Sequence, residues 1–183
     1  MARVRPRDAW TSATASLRAN DDEGGPGAQR SGTSSLYQWL CAHPDVLPAA
    51  DREVHYFDDH YARGRRWYRA QFPLRLPGRT TGESTPFMLF HPLAPQRAVH
   101  DLPDTTRFIV LLRDPVQRAL SHYWHTRARG LETEPLARAL ELEEERTRGE
   151  MQRLLDGAPS SGLHRFSYVA RGEYAPQLSR WFD

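Results

Sequence analysis

The chain has 183 residues, a formal net charge of +2 and 39% hydrophobic residues, values typical of one globular domain with its own core. A single cysteine, Cys41, excludes a disulfide within the chain. No apolar run follows the N-terminal arginines, as a signal peptide or a membrane span requires, so the sequence predicts a cytoplasmic protein without a membrane partner. All 25 basic side chains are arginine, and they are spread along the chain, which does not favour nucleic-acid binding.

The first predicted elements flank a glycine-rich segment. Residues 1–26 are polar and rich in Gly, Ser, Asp and Arg, which predicts a poorly ordered segment with at most a short helix over residues 9–17. Residues 34–42 carry apolar side chains at helical spacing and predict a helix. β-forming residues alternate over residues 53–57 and predict a short strand or an extended segment, and residues 61–72 predict an aromatic-rich helix.

Two further strands are predicted in the middle of the chain. Residues 79–85 predict a weak strand that ends before a proline. Residues 107–112 form an unbroken β-branched and aliphatic run, which is typical of a parallel strand buried on both faces. Asp114 and Pro115 then predict the N-cap and the first residue of a helix.

Helical segments complete the sequence. Residues 135–155 predict one long charged helix that contacts the core at its ends, and residues 166–182 predict a last helix or a turn followed by a helix. Strands therefore alternate with helices along the chain. This alternation predicts an α/β fold with a mainly parallel sheet.

A glycine-rich loop precedes the first predicted helix. Gly27 and Gly32 are spaced as in the Walker A pattern, but Thr33 stands where that pattern has lysine, which disfavours an ATPase or a nucleotide kinase. A glycine turn before a helix N-terminus still offers backbone amides and the helix dipole to one phosphate-like group. The side chains that would add charge and hydroxyl donors are Arg30, Ser31, Thr33, Ser34 and Ser35.

A second candidate anion-binding segment follows the strongest predicted strand. Arg113 lies at the predicted carboxyl end of that strand, and Ser121 lies two turns into the next helix, so both side chains can face one anion. Ligands of open α/β sheets bind at this edge. The alternative is an arginine that pairs with a carboxylate and an ordinary helix serine. The presence of both segments in this order favours nucleotide binding.

Together these segments resemble the PAPS-dependent sulfotransferases, which use 3′-phosphoadenosine 5′-phosphosulfate, and most closely the bacterial relatives of the heparan sulfate and carbohydrate enzymes. The resemblance covers residues 27–183 and implies a P-loop-type three-layer fold. It implies that Arg30 and the loop residues Ser31, Gly32, Thr33, Ser34 and Ser35 hold the 5′-phosphosulfate of PAPS. It implies that Arg113 and Ser121 hold the 3′-phosphate, that PAP is the product, and that no metal takes part.

The segment Glu-Val-His-Tyr-Phe-Asp at residues 53–58 is similar to the family's catalytic segment. By this resemblance Glu53 is the general base, and His55 and Asp58 line the acceptor site. Arg30 would stabilise the charge that develops on the leaving phosphate. His55 remains the second candidate for the base, since its ordinary pKa is near 6.5.

The segment Gly-Glu-Ser-Thr-Pro at residues 82–86 is similar to a family segment that ends a strand beside the nucleotide. Glu83 is expected to support the acceptor site. Ser84 stands where many animal members have lysine, so that charge is absent or is supplied by an arginine elsewhere. Residues 168–181 resemble a further family stretch whose aromatic residues are expected to serve packing.

The sequence departs from the family pattern at both ends. Residues 20–26 stand where relatives have an apolar strand that leads into the phosphate loop, and relatives continue past Asp183 with another strand and helix. The resemblance therefore predicts a partial domain over residues 27–183 with an incomplete sheet. The expected function is sulfuryl transfer from PAPS to a hydroxyl or amine of a carbohydrate-like or small-metabolite acceptor. The alternative is an inert fragment that acts at most as a nucleotide- or anion-binding module.

Overall fold

The computed structural model describes residues 31–74 and 76–182, and the backbone of residues 10–13. Short 3-10 helices lie at Tyr61–Arg63 and Ala170–Gly172. The other elements, in chain order, are β1 (Trp10–Ala13), α1 (Thr33–Cys41), β2 (Val46–Pro48), α2 (Gly64–Ala70), β3 (Thr80–Ser84), α3 (Phe87–Phe90), α4 (Ala94–Asp101), β4 (Arg107–Val110), α5 (Pro115–Ala128), α6 (Leu136–Glu141), α7 (Glu143–Thr147), α8 (Glu150–Leu155), α9 (Ser161–Phe166) and α10 (Tyr174–Phe182).

The strands of the described residues form one sheet in the order β2-β3-β1-β4, and every pair is parallel. In the inner strand β1, Ser12 lies beside Ser84 of β3 on one side and beside Ile109 of β4 on the other. Because the strands run in one direction, their carboxyl ends lie at the same edge of the sheet, where open α/β sheets bind ligands. The predicted α/β class with a mainly parallel sheet is confirmed.

Strand β1 corrects the prediction for the N-terminal segment. Residues 1–26 were expected to hold no strand and at most a short helix, and the sheet was expected to lack its first strand, but Trp10–Ala13 pairs on both sides in the sheet. The Trp-Thr-Ser-Ala sequence contains no hydrophobic run that would predict a strand. It is a strand because it pairs with two segments that are distant in the sequence. The other residues of this segment lie outside the described part of the chain.

Strand β4 is present as predicted, but it is less buried than predicted. Phe108 is 39% exposed, and Ile109 and Val110 are half-buried, whereas the apolar run predicted a strand buried on both faces. The reason is that β4 lies at the outer edge of the described sheet, with β1 as its neighbour. The ring of Trp181 in α10 lies 5.0 Å from the Phe108 ring and covers part of this face.

The helices follow the local sequence signals where one residue determines the start. Helix α5 begins at Pro115, and the Asp114 side chain accepts a hydrogen bond from the Gln117 amide at 2.8 Å, which is the predicted cap. The single long helix predicted over residues 135–155 is wrong, because α6, α7 and α8 replace it and Gly149 adopts a φ of 77° before α8. No helix among the described residues is long and apolar enough to cross a membrane.

An aromatic cluster packs around the residues that flank His55. Tyr56 stacks on Tyr68 of α2 with their ring centroids 4.5 Å apart, and Phe57 meets the same Tyr68 ring edge-on at 5.0 Å. Met88 and Leu89 of α3 complete this buried cluster. The cluster anchors residues on both sides of His55, so the polar loop between them is carried by a packed core.

Replacing Thr11 by proline tests whether β1 is the inner strand. Proline removes an amide donor from a strand that pairs on both sides, so we expect the free energy of unfolding to fall by at least about 2 kcal/mol. Urea unfolding followed by circular dichroism measures this change. Thr11→Val, which keeps the amide and the β preference, is the control, and equal stability of the proline variant and this control would contradict the pairing.

Candidate functional site

The predicted glycine turn before a helix is present at the start of α1. Gly32 is the N-cap residue with a φ of 84°, a left-handed conformation that glycine adopts without strain. Ser31 and Thr33 on either side are buried. The amides of the first helical turn have no partner within the helix and are available to an anion. Arg30 lies outside the described residues, so its predicted role stays a prediction.

Arg52 links helix α1, which follows the predicted phosphate loop, to Glu53, the predicted base. Its Nη1 donates a hydrogen bond to Ser34 Oγ at 2.7 Å, and its Nη2 donates to Glu53 Oε1 at 2.6 Å. The guanidinium fork therefore fixes the Glu53 carboxylate relative to the first turn of α1. Sequence reasoning missed Arg52, and its position next to Glu53 was the only signal available.

The segment that contains Glu53 and His55 is a loop, which corrects the predicted strand. His55 has a φ of 53°, in the left-handed region that a strand excludes. The loop forms because side chains satisfy its amides: Val54 N–H donates to Glu83 Oε2 at 3.2 Å, and His55 N–H donates to Thr85 Oγ1 at 3.2 Å. The two predicted catalytic residues still meet, with His55 Nε2 3.5 Å from Glu53 Oε2.

His55 is held as an imidazolium by its acidic neighbours. Burial alone would lower its pKa, but hydrogen bonds to Asp58 and Glu53 and the charges of both carboxylates raise the pKa to about 11. The closest contact is from His55 Nδ1 to Asp58 Oδ2, at 2.8 Å. Burial would raise the pKa of Asp58, and the hydrogen bond from His55 instead holds it below its ordinary value. His55 is thus a hydrogen-bond donor at neutral pH, and it has no lone pair with which to accept a proton.

His55, Asp58 and Asp59 also bring their nitrogen and oxygen atoms within 4.8 Å of one another. Such a group has the ligand types of a metal site. The His55–Asp58 hydrogen bond and the 3.8 Å distance from His55 Nδ1 to Asp59 Oδ2 are those of an ion-pair cluster, which accounts for the grouping without an ion. A metal-free reaction stays a prediction.

Glu83 is a buried carboxyl group behind the loop. Its Oε2 accepts hydrogen bonds from Thr85 Oγ1 at 2.6 Å and from the Val54 amide. Burial raises the pKa of Glu83 to about 7, against the lowering effect of these donors. The expected supporting role of Glu83 therefore takes a definite form, since it fixes the backbone of the loop and does not reach the cleft described next.

A cleft of about 390 Å³ opens beside His55. Its polar lining includes the cationic Arg129 and Arg165, the His55 imidazolium and the acidic Asp59. On one wall, His164 Nε2 lies 3.4 Å from Asp59 Oδ2. On another, burial lowers the pKa of His122 well below its ordinary value, so that its neutral ring donates to the His164 carbonyl oxygen. The sequence did not predict this wall, because its residues come from helices far apart in the chain.

The predicted 3′-phosphate residues lie on β4 and α5. Arg113 follows β4 at the carboxyl edge of the sheet, and its backbone carbonyl accepts a hydrogen bond from the Tyr174 hydroxyl at 2.9 Å. Ser121 is half-buried in α5. Their joint binding of one phosphate stays a prediction.

Replacing Glu83 by glutamine tests the buried carboxyl group through pH. The pKa of Glu83 is raised from 4.5 to about 7 on folding, so the folded state binds the extra proton between these values and stability falls as pH rises through this window. We expect Glu83→Gln to remove this slope, a change on the order of 3 kcal/mol between pH 4 and pH 8. Denaturant unfolding at several pH values measures it. Parallel stability curves for the variant, the wild type and the exposed control Glu141→Gln would refute it.

Comparisons with known proteins identify relatives of part of this chain. No family model matches it. It is 42% identical over 100 residues to heparan sulfate glucosamine 3-O-sulfotransferase 6 of Mus musculus, which is 55% of this chain and 29% of that enzyme. It is 41% identical over 100 residues to heparan sulfate glucosamine 3-O-sulfotransferase 3B1 of Homo sapiens, which is 55% of this chain and 25% of that enzyme. The chain thus matches less than a third of the length of these curated relatives.

A solved structure extends the similarity to nearly the whole chain. The sulfotransferase from Alicyclobacillus acidocaldarius superposes with a TM-score of 0.72 and 28% identity, over 97% of this chain and 68% of that one. The shared fold is the P-loop-type α/β fold that the motifs predicted. These similarities support the sulfotransferase family that the motifs predicted.

Proposed function

We propose that this protein transfers a sulfuryl group from PAPS to a hydroxyl or amine of a carbohydrate-like or small-metabolite acceptor. The observation that carries this proposal is the Arg52 fork, which bonds Ser34 in the first turn of α1 and Glu53 beside the cleft. An anion bound at that turn and a proton acceptor at the cleft are thereby held in one fixed arrangement. Direct transfer between a bound donor and a bound acceptor needs such an arrangement.

The donor site in this proposal is built from the loop and the edge of the sheet. The 5′-phosphosulfate binds to the start of α1, with Arg30, Ser31, Gly32, Thr33, Ser34 and Ser35 as its contacts. Arg113 and Ser121 bind the 3′-phosphate, which distinguishes PAPS from nucleotides without that group. The support for this arrangement is the glycine turn at Gly32 and the place of Arg113 at the carboxyl edge.

The reaction is an in-line displacement at sulfur. The acceptor oxygen or nitrogen forms a bond to sulfur while the bond from sulfur to the 5′-phosphate oxygen breaks, and the electron pair of that bond stays on the phosphate. The acceptor proton passes to Glu53, and PAP leaves. Helix amides and arginine charge stabilise the developing negative charge on the leaving oxygen.

Glu53 is the better candidate for the base. His55, with its pKa raised to about 11 by Asp58 and Glu53 against the effect of burial, is protonated and serves to orient the acceptor by donating a hydrogen bond. Asp58 keeps the imidazolium in place through the 2.8 Å contact. The acceptor then occupies the cleft beside His55, where Arg129 and Arg165 favour an acceptor that bears negative charge.

The donor site is tested by calorimetric titration with PAP. We expect saturable binding of PAP by the wild type and a loss of affinity of about 10- to 100-fold in Arg113→Gln, because a charge-assisted phosphate contact is removed. Arg107→Gln, at the opposite end of β4, is the matched control. ATP with magnesium is titrated in parallel. Binding of ATP–magnesium in preference to PAP, or binding of neither ligand, would contradict the donor assignment.

The base is tested by replacing Glu53 with glutamine. Glutamine keeps the size of the side chain but accepts no proton, so we expect sulfuryl transfer to fall by at least about 100-fold while PAP affinity is retained. Transfer from labelled PAPS to a panel of sugars and amines measures this. Asp51→Asn, which changes an exposed carboxylate nearby, is the control. Full activity in Glu53→Gln would move the base to another residue.

A further inference from the structure

Arg171 is a buried cation whose two terminal nitrogens have no hydrogen-bond partner among the described residues. The residue lies in the 3-10 helix Ala170–Gly172 and is 4% exposed. Its Nη1 and Nη2 atoms are both buried, and among the described residues neither atom has an acceptor. Leaving a buried guanidinium unpaired costs far more free energy than leaving a neutral polar group unpaired.

The aromatic neighbours of Arg171 orient it but do not neutralise it. Its guanidinium carbon lies 4.6 Å from the centre of the Phe87 ring and 5.7 Å from that of Phe90. Cation–π contacts offset only part of the cost of leaving the charge unpaired. Burial and the nearby charge of Arg118 lower the pKa of Arg171, and the charges of Asp58 and Glu53 act in the opposite direction.

Arg171 also lines a narrow cleft of about 10 Å³ beside the N-terminus of α1. Ser31, Pro86, Arg118 and Tyr174 line the same cleft. Ser31 precedes the N-cap of α1, and Pro86 comes two residues after the buried Ser84 at the end of β3. Two arginines therefore face one small space next to the start of α1. Arg118 donates to the Tyr168 carbonyl oxygen, which leaves Arg171 as the arginine of this cleft whose terminal nitrogens lack an acceptor within the described chain.

We propose that Arg171 is a catalytic residue whose guanidinium binds the 5′-phosphosulfate group of the donor. The inference rests on the proposed function. As the bond from sulfur to the phosphate oxygen breaks, its electron pair stays on that oxygen, and Arg171 stabilises the resulting negative charge. The acceptor proton goes to Glu53, so Arg171 neither gains nor loses a proton.

Phe87 lies between Arg171 and the acceptor cleft beside His55. The His164 ring, which lines the acceptor cleft, stacks on the Phe87 ring with centroids 3.6 Å apart. Arg171 contacts the same Phe87 ring. The buried Phe87 ring therefore contacts Arg171 and a residue of the acceptor cleft, and it packs between them.

Thermal unfolding of Arg171→Met, with and without PAP or inorganic sulfate, separates a ligand-binding arginine from a structural one. A ligand-binding Arg171 is an uncompensated charge in the free protein, so its removal should leave the melting temperature of the free protein unchanged or higher. The rise in melting temperature that PAP or sulfate causes should be lost. We expect the rate of sulfuryl transfer to fall by about 100- to 1,000-fold, the loss typical of one such donor. Arg138→Gln, an exposed arginine on α6, is the matched control.

Arg171→Lys keeps the charge and is expected to retain ligand-induced stabilisation and transfer rates between those of the wild type and Arg171→Met. A methionine variant with a lower melting temperature but wild-type PAP and sulfate affinity would overturn the proposal and make Arg171 structural. So would a lysine variant no better than methionine in ligand-induced stabilisation. If the wild type binds sulfate but not PAP, and Arg171→Met loses sulfate binding, the anion site stands while the PAPS function fails.

Discussion

The loop that carries the catalytic candidates is held by one buried carboxyl group. Glu83 Oε2 accepts hydrogen bonds from the Val54 amide and from Thr85 Oγ1, and Thr85 Oγ1 in turn accepts one from the His55 amide. Glu83 belongs to β3, which pairing with β2 and β1 fixes in the sheet. The sheet therefore fixes the position of the loop. Because polar side chains replace a strand ladder here, the loop can adopt the left-handed turn that points His55 at Asp58.

Some elements were predictable because a signal within a few residues determines them. The Gly32 turn depends on one left-handed φ, and the start of α5 depends on one hydrogen bond from Gln117 to Asp114. Strand β1 was not predictable, since its short polar sequence becomes a strand only through β3 and β4, both far along the chain. The alternation of β-forming residues over residues 53–57 led to a wrong prediction for the same reason. The amides there find side-chain partners about 30 residues away, at Glu83 and Thr85.

The candidate site shows the same division between local and distant causes. A short sequence motif contains Glu53, His55 and Asp58 together, and the structure brings these side chains into contact. The motif does not contain the groups that set their chemistry. The pKa of His55 depends on how closely two carboxylates approach it, and the environment of Arg171 depends on the fold of the last third of the chain. Sequence reasoning thus identified the candidate reacting groups but not the residues that position and charge them.

The absence of lysine has a structural consequence at this site. The contact between α1 and Glu53 needs one side chain that donates to a hydroxyl and a carboxylate at once, and the Arg52 fork does so at 2.7 and 2.6 Å. An ammonium is a single point donor on a flexible stem and would hold these two groups less rigidly. Displacement at sulfur is sensitive to such rigidity, since small misplacements of reacting atoms cost large factors in rate. In this chain an arginine therefore fixes the start of α1 relative to Glu53, the candidate base.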